Sequence, residues 1–593
     1  GDVIPEVVGP VLAERPAGLP EWTFPTRCPV CAEPLQRLEG EAATYCVNLA
    51  CPARRATAIE HFASRGALDI EGFGEQTVRL FLELGILGDI ADIFTLDFDR
   101  IREDVTEYAP GLIGISTMTN QYQFATQISQ FLKEEFPEIP IICGGVHASM
   151  VPEETIAEPF FDYVCMGEGE GAILDLVEAL ERGERPHGIL NLLSKREDGT
   201  VVKPGLRPYQ DLTVLPNKDY GLYDFQQMID AKNGWVGLMS SRGCPYRCTY
   251  CFNHTIVDMY RDKAVGKGPK YLRHHPVERM MEEIEFLLTN YTGIEMFIFD
   301  DDLFTLNRDY LMAFCTAYKK QFKIPFVVNA HIKVFDAVEA RYLKEAGCGM
   351  VKFGLESGSE RVRKEIMYRY MKNAEIERAF RLAEEYDLDT SAFVMIGMPT
   401  ETIAEIWETI DLLATSKPTR FRWSIFFPYV GTKAYEISAR EGLLDHDTMN
   451  RLTDFVSKSS LTFDDAEFNL FLEKLQRALP WYVNARSDFD SAPIYKQLVD
   501  EIQAMTAEEW DQVKDDIIPM DKRLQKLMGA RDREGYEVKF NDFMAVRRKR
   551  KTRAYKEGMD SEGATQGSAE AMERTFGAGA GEGANVGESG GVF

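Results

Sequence analysis

The chain has 593 residues, 45% of them hydrophobic, and a formal net charge of −28 at pH 7. This length predicts several domains with large cores, and the negative charge excludes a generic nucleic-acid binder and favours a soluble protein. No apolar run approaches the length of a membrane span, no secretory signal opens the chain, and the cysteine usage suits a reducing compartment, so we expect a cytoplasmic protein.

The first region, residues 1–104, carries four cysteines in two close pairs. Two residues separate Cys28 from Cys31, four separate Cys46 from Cys51, and fourteen lie between the pairs. Two such pairs on short turns can place four sulfur ligands tetrahedrally around one ion. The spacing therefore predicts a structural zinc site and says little about activity.

Residues 67–85 follow the cysteines, and Gly72 and Gly74 permit a tight turn whose amides can meet a phosphate, as in a helix-hairpin-helix element. The whole region resembles NAD-dependent DNA ligases, in segments 1–9 (end of the OB domain), 24–31 (zinc finger) and 61–67 (entry to the helix-hairpin-helix domain). No K-x-D-G nucleophile motif occurs in the chain, so ligase activity is not implied. The region is either a DNA-touching accessory module or a fragment joined to an unrelated enzyme. We favour the second, because analogy alone does not supply a site.

Residues 105–205 alternate between short apolar runs and helical patterns, which suits a parallel, doubly wound sheet. The strand candidates, each ending in small residues, are 111–117, 139–145 and 162–167. Glycine at the carboxyl ends of successive strands lets a large ligand approach the backbone at that edge of the sheet.

This pattern resembles the cobalamin-binding domain that precedes some radical S-adenosylmethionine (SAM) domains. The resemblance rests on the motifs Gly-Gly-Val-His-Ala at 144–148 and Gly-Glu-Gly-Glu at 167–170. It implies that cobalamin lies near Ser116, Gly144, Gly145, His147, Gly167 and Glu168. The first two strands of that domain and its Asp-x-His-x-x-Gly motif are missing, so we expect a truncated sheet and no histidine ligand to cobalt. A flavodoxin-like domain without a cofactor is the alternative.

After a linker over 206–232, residues 233–430 contain six strand-like runs separated by helical patterns such as 277–288 and 374–386. The runs are 235–240, 295–300, 325–330, 350–355, 391–397 and 420–427. Alternation at this spacing suggests parallel crossovers. Six such units make a partial (β/α)6 barrel, whose chemistry is expected at the carboxyl ends of the strands.

Three cysteines follow the first of these runs with the spacing C-x3-C-x2-C: Cys244, Cys248 and Cys251. Three thiolates on one short loop can hold three irons of a [4Fe–4S] cluster, which four thiolates ordinarily close. The fourth iron is then open to a small molecule. A zinc site is the weaker alternative, because its fourth ligand would have to be His254 or a distant residue, and a disulfide framework is not expected in such a chain.

The loop resembles the signature of radical SAM enzymes, in which the open iron chelates SAM and one electron cleaves it to a 5′-deoxyadenosyl radical. The resemblance implies that Asp300 and Asp301 meet the SAM amino group, Glu356 the ribose and Gly397 the adenine side. From the residues alone, the run 300–302 is also compatible with a solvated acidic turn, and Glu356 with a helix N-terminal carboxylate.

The fold class expected is therefore α/β: a truncated, Rossmann-like cobalamin-type domain and a partial barrel, behind a small zinc finger and helix-hairpin-helix piece. The family further implies a small-molecule or lipid-like substrate and a one-electron donor such as flavodoxin or ferredoxin. Cobalamin-dependent methyl transfer to an unactivated carbon is the reaction that we expect. Radical rearrangement, ring closure, or a nucleic-acid-binding scaffold with an inactive barrel are the alternatives.

Residues 431–555, which include Trp481 and Tyr482, are predicted to form a helical region that caps the barrel mouth and shapes the substrate pocket. The basic run at 547–551 is interpreted as solvated charge rather than a contact for nucleic acid or anionic lipid. Residues 556–593, rich in Gly, Ala, Glu and Ser, are expected to be disordered.

Overall fold

The computed structural model of the chain describes residues 26–28, 30–31, 33, 35–36, 45–46, 51, 98–196, 198–451, 459–539 and 543–549. The chain divides into two units, one over residues 1–96 and one that begins at residue 97. The expected OB-like segment, the helix-hairpin-helix element and the tail at 556–593 lie outside the described residues.

In the first unit, two short strands form an antiparallel pair, β1 (Leu35–Gln36) and β2 (Tyr45–Cys46). Leu35 lies opposite Cys46 in this pair. The backbone N–H of Cys28 donates to the carbonyl of Glu33 at 2.8 Å, which closes the turn that leads into β1.

The second unit opens with a five-stranded sheet in the order β3-β4-β5-β6-β7. Its strands are β3 (Ile113–Ser116), β4 (Ile141–Gly144), β5 (Tyr163–Cys165), β6 (Leu192–Lys195) and β7 (Val201–Val202). The first three are parallel, as the doubly wound pattern predicts. Strand β6 runs antiparallel to β5, and β7 runs antiparallel to β6. The associated helices are α1 (Phe98–Tyr108), α2 (Tyr122–Glu135), α3 (Gly145–Met150), α4 (Pro152–Ala157) and α5 (Glu170–Glu181).

The larger sheet contains the six predicted strands, all parallel and in the order β8-β11-β12-β13-β14-β15. Their bounds are β8 (Trp235–Leu238), β11 (Met296–Phe299), β12 (Phe326–Ala330), β13 (Cys348–Glu356), β14 (Asp389–Ile396) and β15 (Arg420–Ile425). All four residues of β11 are buried, as expected of a parallel strand covered on both faces. A separate ribbon pairs β9 (Ser241–Arg242) with β10 (Arg273–His274).

The helices of this part lie mainly between the strands, and the two named in the sequence analysis are confirmed as α8 and α11. The set is α6 (Phe225–Ala231), α7 (Phe252–Lys263), α8 (Val277–Asn290), α9 (Arg308–Gln321), α10 (Ala337–Ala346), α11 (Asn373–Glu385) and α12 (Ile403–Ser416). A π-helical turn covers Val362–Ile366. The partial (β/α)6 barrel that the sequence predicts is therefore present.

The C-terminal part is not purely helical. Its helices are α13 (Lys433–Arg440), α14 (His446–Arg451), α15 (Ala466–Arg486), α16 (Ala492–Ala504), α17 (Ala507–Val513) and α18 (Ile517–Ala530). Two further strands, β16 (Gly535–Val538) and β17 (Met544–Arg548), extend the large sheet, and β17 pairs antiparallel with β15.

One expectation for this part is wrong. Arg547 is not a solvated charge: it is 8% exposed and pairs with Glu384 at 2.8 Å, because β17 carries it into the sheet. Trp481 and Tyr482 are both buried in α15, where the indole N–H of Trp481 donates to Asp521 at 2.7 Å. Among the residues that the structure describes, no helix is long and apolar enough to cross a membrane.

Candidate active site

The loop with Cys244, Cys248 and Cys251 lies at the carboxyl end of β8, the first strand of the large sheet. Backbone contacts from distant segments hold its middle: the N–H of Thr249 donates to the carbonyl of Met367 at 3.1 Å, and the N–H of Ala434 donates to the carbonyl of Thr249 at 2.9 Å. At its start Gly243 has a φ of 95°, and a Cβ there would collide with the carbonyl of Tyr271. The loop conformation is therefore imposed by the barrel.

The three thiols suit a cluster better than a single ion. Burial raises the pKa of Cys244 to about 12 and that of Cys251 above its ordinary range, and the neighbouring thiols add to both shifts. Bound irons are what would stabilise the thiolates here. The remaining thiols of the described second unit are buried core residues of strands or helices: Cys143, Cys165, Cys315 and Cys348. Among these residues none supplies a fourth sulfur on the loop, so the donor set fits a cluster with one open iron.

Asp301 and Asp302 brace the loop from the end of β11. The carboxylate of Asp301, which is fully buried, accepts from the N–H of Ser240 at 3.0 Å and from its hydroxyl at 2.7 Å. Asp302 accepts from the N–H of Gly243 at 3.1 Å and from the side-chain amide of Asn253 at 3.0 Å. The alternative of a solvated acidic turn is therefore wrong. Asp300 is half-buried, and its N–H donates to Leu238 at 2.8 Å.

Glu356 lies at the end of β13 in a left-handed conformation, with a φ of 66°. Burial raises the pKa of its carboxyl, while the charge of Arg369 and a hydrogen bond with Tyr250 act in the opposite direction. Arg369 in turn donates from Nη1 to Sγ of Cys248 at 3.6 Å and from Nη2 to the carbonyl of Gly354 at 2.8 Å. The site thus joins a cluster cysteine to the carboxylate expected at the ribose.

Arg369 could not be predicted from the sequence, because no local pattern marks it and 121 residues separate it from Cys248. Its Nε is buried and has no hydrogen-bond partner among the described residues. A buried, unsatisfied guanidinium nitrogen beside the loop is the observation expected where an acidic or polar cofactor group completes the site. The residues present therefore fit SAM.

Gly397 follows β14 with a φ of 77°, and a buried carboxylate holds it in place. The N–H groups of Gly397 and Met398 donate to Oε2 of Glu401 at 2.7 and 3.0 Å. Burial raises the pKa of Glu401 to about 8, although these two donors oppose the rise. Glu401 is a second residue that sequence reasoning missed.

His331 follows β12 and faces the cysteine loop. Its ring stacks on Tyr246 of the loop, with centroids 3.9 Å apart and an interplanar angle of 5°. Burial lowers the pKa of His331 to about 3, and the charge of Arg369 adds to the shift, so the ring is neutral near pH 7. The ends of β8, β11, β12, β13 and β14 thus all contribute to one site, as the barrel predicts.

In the upstream domain, protein atoms lie close to two of the predicted cobalamin glycines. Gly145 has a φ of 89°, and a Cβ there would lie 2.7 Å from the backbone of Thr117. Gly167 has a φ of 69°, and its Cβ would lie 2.5 Å from the hydroxyl of Tyr260. Ser116 is exposed at the end of β3, and Gly144 is half-buried at the end of β4.

His147 lies in α3, two residues after its start at Gly145. Its ring stacks on Tyr122 at 3.9 Å, and its Nδ1 lies 3.2 Å from the hydroxyl of Thr119. Burial lowers the pKa of His147 to about 4. These three residues line a cleft of about 250 Å³ whose opposite wall includes Phe427 and Val430, after the last barrel strand.

This cleft lies beside the carboxyl ends of β3 and β4, where a doubly wound sheet binds its ligand, and its position fits a cofactor held against the barrel. Glu168, the other predicted cobalamin residue, is not part of its lining. Its carboxylate instead accepts hydrogen bonds from Arg242 and Arg273.

The four cysteines of the first unit form a separate metal site. Their sulfurs all lie within 4.8 Å of one another, with Cys28 and Cys51 3.9 Å apart and Cys31 and Cys46 3.5 Å apart. A tetrahedron with metal–sulfur bonds of 2.3 Å has edges of about 3.8 Å. Backbone N–H groups of Cys31 and Val30 lower the pKa of Cys28 to about 6, which favours the thiolate. The donor set fits zinc.

Three family models match the chain. The radical SAM superfamily model matches residues 238–413, the B12 binding domain model residues 65–177, and the model of the NAD-dependent DNA ligase C4 zinc finger domain residues 27–53. The B12 match begins at residue 65, ahead of residue 98, where the described part of this domain starts. The first two strands, which the sequence pattern lacks, would therefore fall on residues outside those that the structure describes.

Matches to individual proteins likewise separate a ligase-like part of the chain from a larger, methyltransferase-like part. The uncharacterized methyltransferase PH0819 of Pyrococcus horikoshii is 30% identical over 370 residues, which cover 62% of this chain and 77% of that protein. A DNA ligase of Chloroflexus aurantiacus is 53% identical over 104 residues, or 17% of this chain and only 15% of the ligase. The structure of the cobalamin-dependent SAM radical enzyme OxsB with aqua-cobalamin bound has a TM-score of 0.53 at 17% identity, covering 74% of this chain and 75% of that one, a likeness of fold.

Proposed function

Since the chain belongs to the radical SAM superfamily and carries a B12-binding domain ahead of its barrel, we propose that it is a cobalamin-dependent methyltransferase acting on an unactivated carbon. The observation that supports this most is the arrangement at the barrel's strand ends: a loop of three cysteines in contact with Arg369 and Glu356. The cleft lined by His147 of the upstream domain and by Phe427, which follows the last barrel strand, supports the cobalamin part of the proposal.

The roles of the residues follow from their chemistry. Cys244, Cys248 and Cys251 would hold the [4Fe–4S] cluster, and the carboxylates of Asp300 and Glu356 would accept hydrogen bonds from the amino group and ribose of SAM. When bound, these cofactors supply the radical that removes hydrogen and the methyl group that replaces it. The chain's own part is to bind, orient and exclude water.

The substrate that we infer is a small or lipid-like molecule, which is the class that membership of the radical SAM superfamily implies. A one-electron donor such as flavodoxin or ferredoxin would reduce the cluster. We propose no DNA substrate, since the DNA ligase of Chloroflexus aurantiacus matches only 17% of this chain.

The cluster assignment is tested in the full chain, purified and reconstituted without oxygen. The wild type should bind iron and sulfide and, with a reductant, release 5′-deoxyadenosine from SAM. A variant with Ala at Cys244, Cys248 and Cys251 should lose both properties. Cys143→Ala, which removes a core thiol away from the loop, is the matched control and should keep both. SAM cleavage retained in the triple variant would overturn the assignment.

The cobalamin assignment needs a separate measurement, because a plain radical SAM enzyme would pass the first test. Cobalamin should copurify or titrate in, with an absorption spectrum distinct from that of the cluster. A product heavier than the substrate by one methylene unit then distinguishes methyl transfer from rearrangement or ring closure. Absence of cobalamin binding in a folded, cluster-bearing wild type would rule out the methyltransferase and leave the radical SAM activity.

A further inference from the structure

The loop that follows β5, residues 167–170, is attached to the strand pair that leads into the cysteine loop. Arg242 of β9, two residues before Cys244, donates to Oε1 of Glu168 at 3.3 Å. Arg273 of β10 donates to the same oxygen, and the N–H of Gln210 donates to Oε2 at 2.6 Å. Both carboxylate oxygens of Glu168 are therefore engaged by residues outside the upstream sheet.

The same loop also contacts the segment that leaves the cysteine loop. α7 begins at Phe252, directly after Cys251, and carries Tyr260. The backbone N–H of Glu168 donates to the hydroxyl oxygen of Tyr260 at 3.0 Å, and the ring of Tyr260 packs against Gly167 so closely that no Cβ fits. Tyr260 is part of the hydrophobic core of the upstream domain.

Burial and charge make this attachment specific. Arg273 is 8% exposed, and its guanidinium lies 5.0 Å from the ring centroid of Tyr209. A buried guanidinium without its carboxylate is strongly unfavourable, and charge-assisted hydrogen bonds fix geometry as well as energy. Arg242 pairs in addition with Glu170 at 2.6 Å. The two domains are thus joined at both flanks of the cluster loop.

We propose that Glu168 is a positioning residue through which the upstream domain sets the conformation of the cysteine loop, and that it does not contact cobalamin. The inference rests on the proposed function, because the conformation of this loop matters through the cluster that it holds. The sequence motif at 167–170 is compatible with two roles, the attachment of one domain to another and the binding of a cofactor. The proposal assigns Glu168 to the first role.

The test uses the full chain with reconstituted cluster and compares Glu168→Gln with Glu178→Gln, which removes an exposed charge of α5 in the same domain. In Glu168→Gln the electron paramagnetic resonance line shape of the reduced cluster should change, and iron should pass to a chelator several-fold faster. Affinity for added cobalamin should stay that of the wild type. Glu178→Gln should match the wild type in all three measurements.

The opposite pattern, a normal cluster with weakened cobalamin binding, would make Glu168 a cofactor residue and overturn the inference. A cluster and a cobalamin affinity both unchanged would overturn it as well. A wild-type protein that takes up no cluster would contradict the proposed function itself, and the role of Glu168 with it. This outcome differs from the two above, in which the wild type has its cluster and only the role of Glu168 fails.

A second variant is needed in case Glu168→Gln does not fold, since that change leaves Arg273 without its ionised partner. Arg242→Gln removes the pairing of Arg242 with Glu168 and Glu170 but leaves Glu168 paired with Arg273, and the Arg242 side chain is 30% exposed. It should produce the same direction of change in line shape and iron release. The double variant should release iron little faster than either single variant, because both act through one contact. Additive effects would contradict the proposed link.

Discussion

Nη1 of Arg369 donates hydrogen bonds to Sγ of Cys248 at 3.6 Å and to the hydroxyl of Tyr250 at 3.2 Å. The charge of this guanidinium also acts on the carboxyl of Glu356. One cation is therefore shared between a cysteine of the cluster loop and the carboxylate expected at the ribose. Hydrogen bonds to cluster sulfur and local charge are among the factors that set the reduction potential of an iron–sulfur centre.

Replacing Arg369 with Gln should shift the midpoint potential of the cluster to more negative values, because the reduced, more negatively charged cluster loses a nearby cation and its N–H donor. Arg369→Lys keeps the charge and should shift the potential less. A redox titration followed by electron paramagnetic resonance measures both. Lys364→Gln, which removes an exposed charge from the π-helical turn nearby, is the control. A potential equal to the wild type in Arg369→Gln would contradict the role assigned.

Glu401 should make the stability of the second unit depend on pH. Burial raises its pKa from 4.5 to about 8 in the folded chain, so folding favours the protonated form. The contribution is complete below pH 4.5 and is lost as the pH rises through 8, at up to about 1.4 kcal/mol per pH unit. Glu401→Gln should remove this dependence. The melting temperature of the variant should therefore rise relative to that of the wild type as the pH increases from 5 to 8.

The matched control for that measurement is Glu365→Gln, which changes an exposed carboxylate. It should follow the wild-type dependence on pH. Parallel curves for wild type and Glu401→Gln would show that the carboxyl of Glu401 titrates in its ordinary range.

The zinc site should be independent of the barrel's chemistry. Metal analysis of the full chain should find one zinc, and Cys46→Ser should lose it, because each ligand of a closed tetrahedral site is needed. SAM cleavage should persist in that variant, since all four zinc positions are filled by the chain. Retention of a full equivalent of zinc in Cys46→Ser would refute the ligand set.

The chain should not seal DNA, although its first region resembles a ligase. It carries the ligase-like cysteines but no K-x-D-G motif to provide the adenylated lysine. Incubation with NAD and nicked DNA should therefore yield neither adenylated protein nor joined strands, while a complete DNA ligase in the same buffer yields both. Either product from this chain would reverse the interpretation of residues 1–104.

Local sequence predicted the barrel strands and the candidate metal ligands. The six barrel strands could be predicted because apolar runs and helical periodicity are properties of short segments. The cysteine sets could be predicted because spacing along the chain constrains which sulfurs reach one metal centre. The position of Asp301 and Glu356 at strand ends follows from the same local reasoning.

Only the tertiary structure decided which side chains meet across the chain. Arg369 reaches Cys248 over 121 residues, Glu168 engages Arg273 over 105 residues, and Arg547 is buried by a strand that joins the far edge of the sheet. No periodicity encodes such pairs, because each depends on the packing of elements that fold separately. The motif Gly-Glu-Gly-Glu marks an important loop from sequence alone, but whether it contacts a cofactor or another domain is settled by what packs against it.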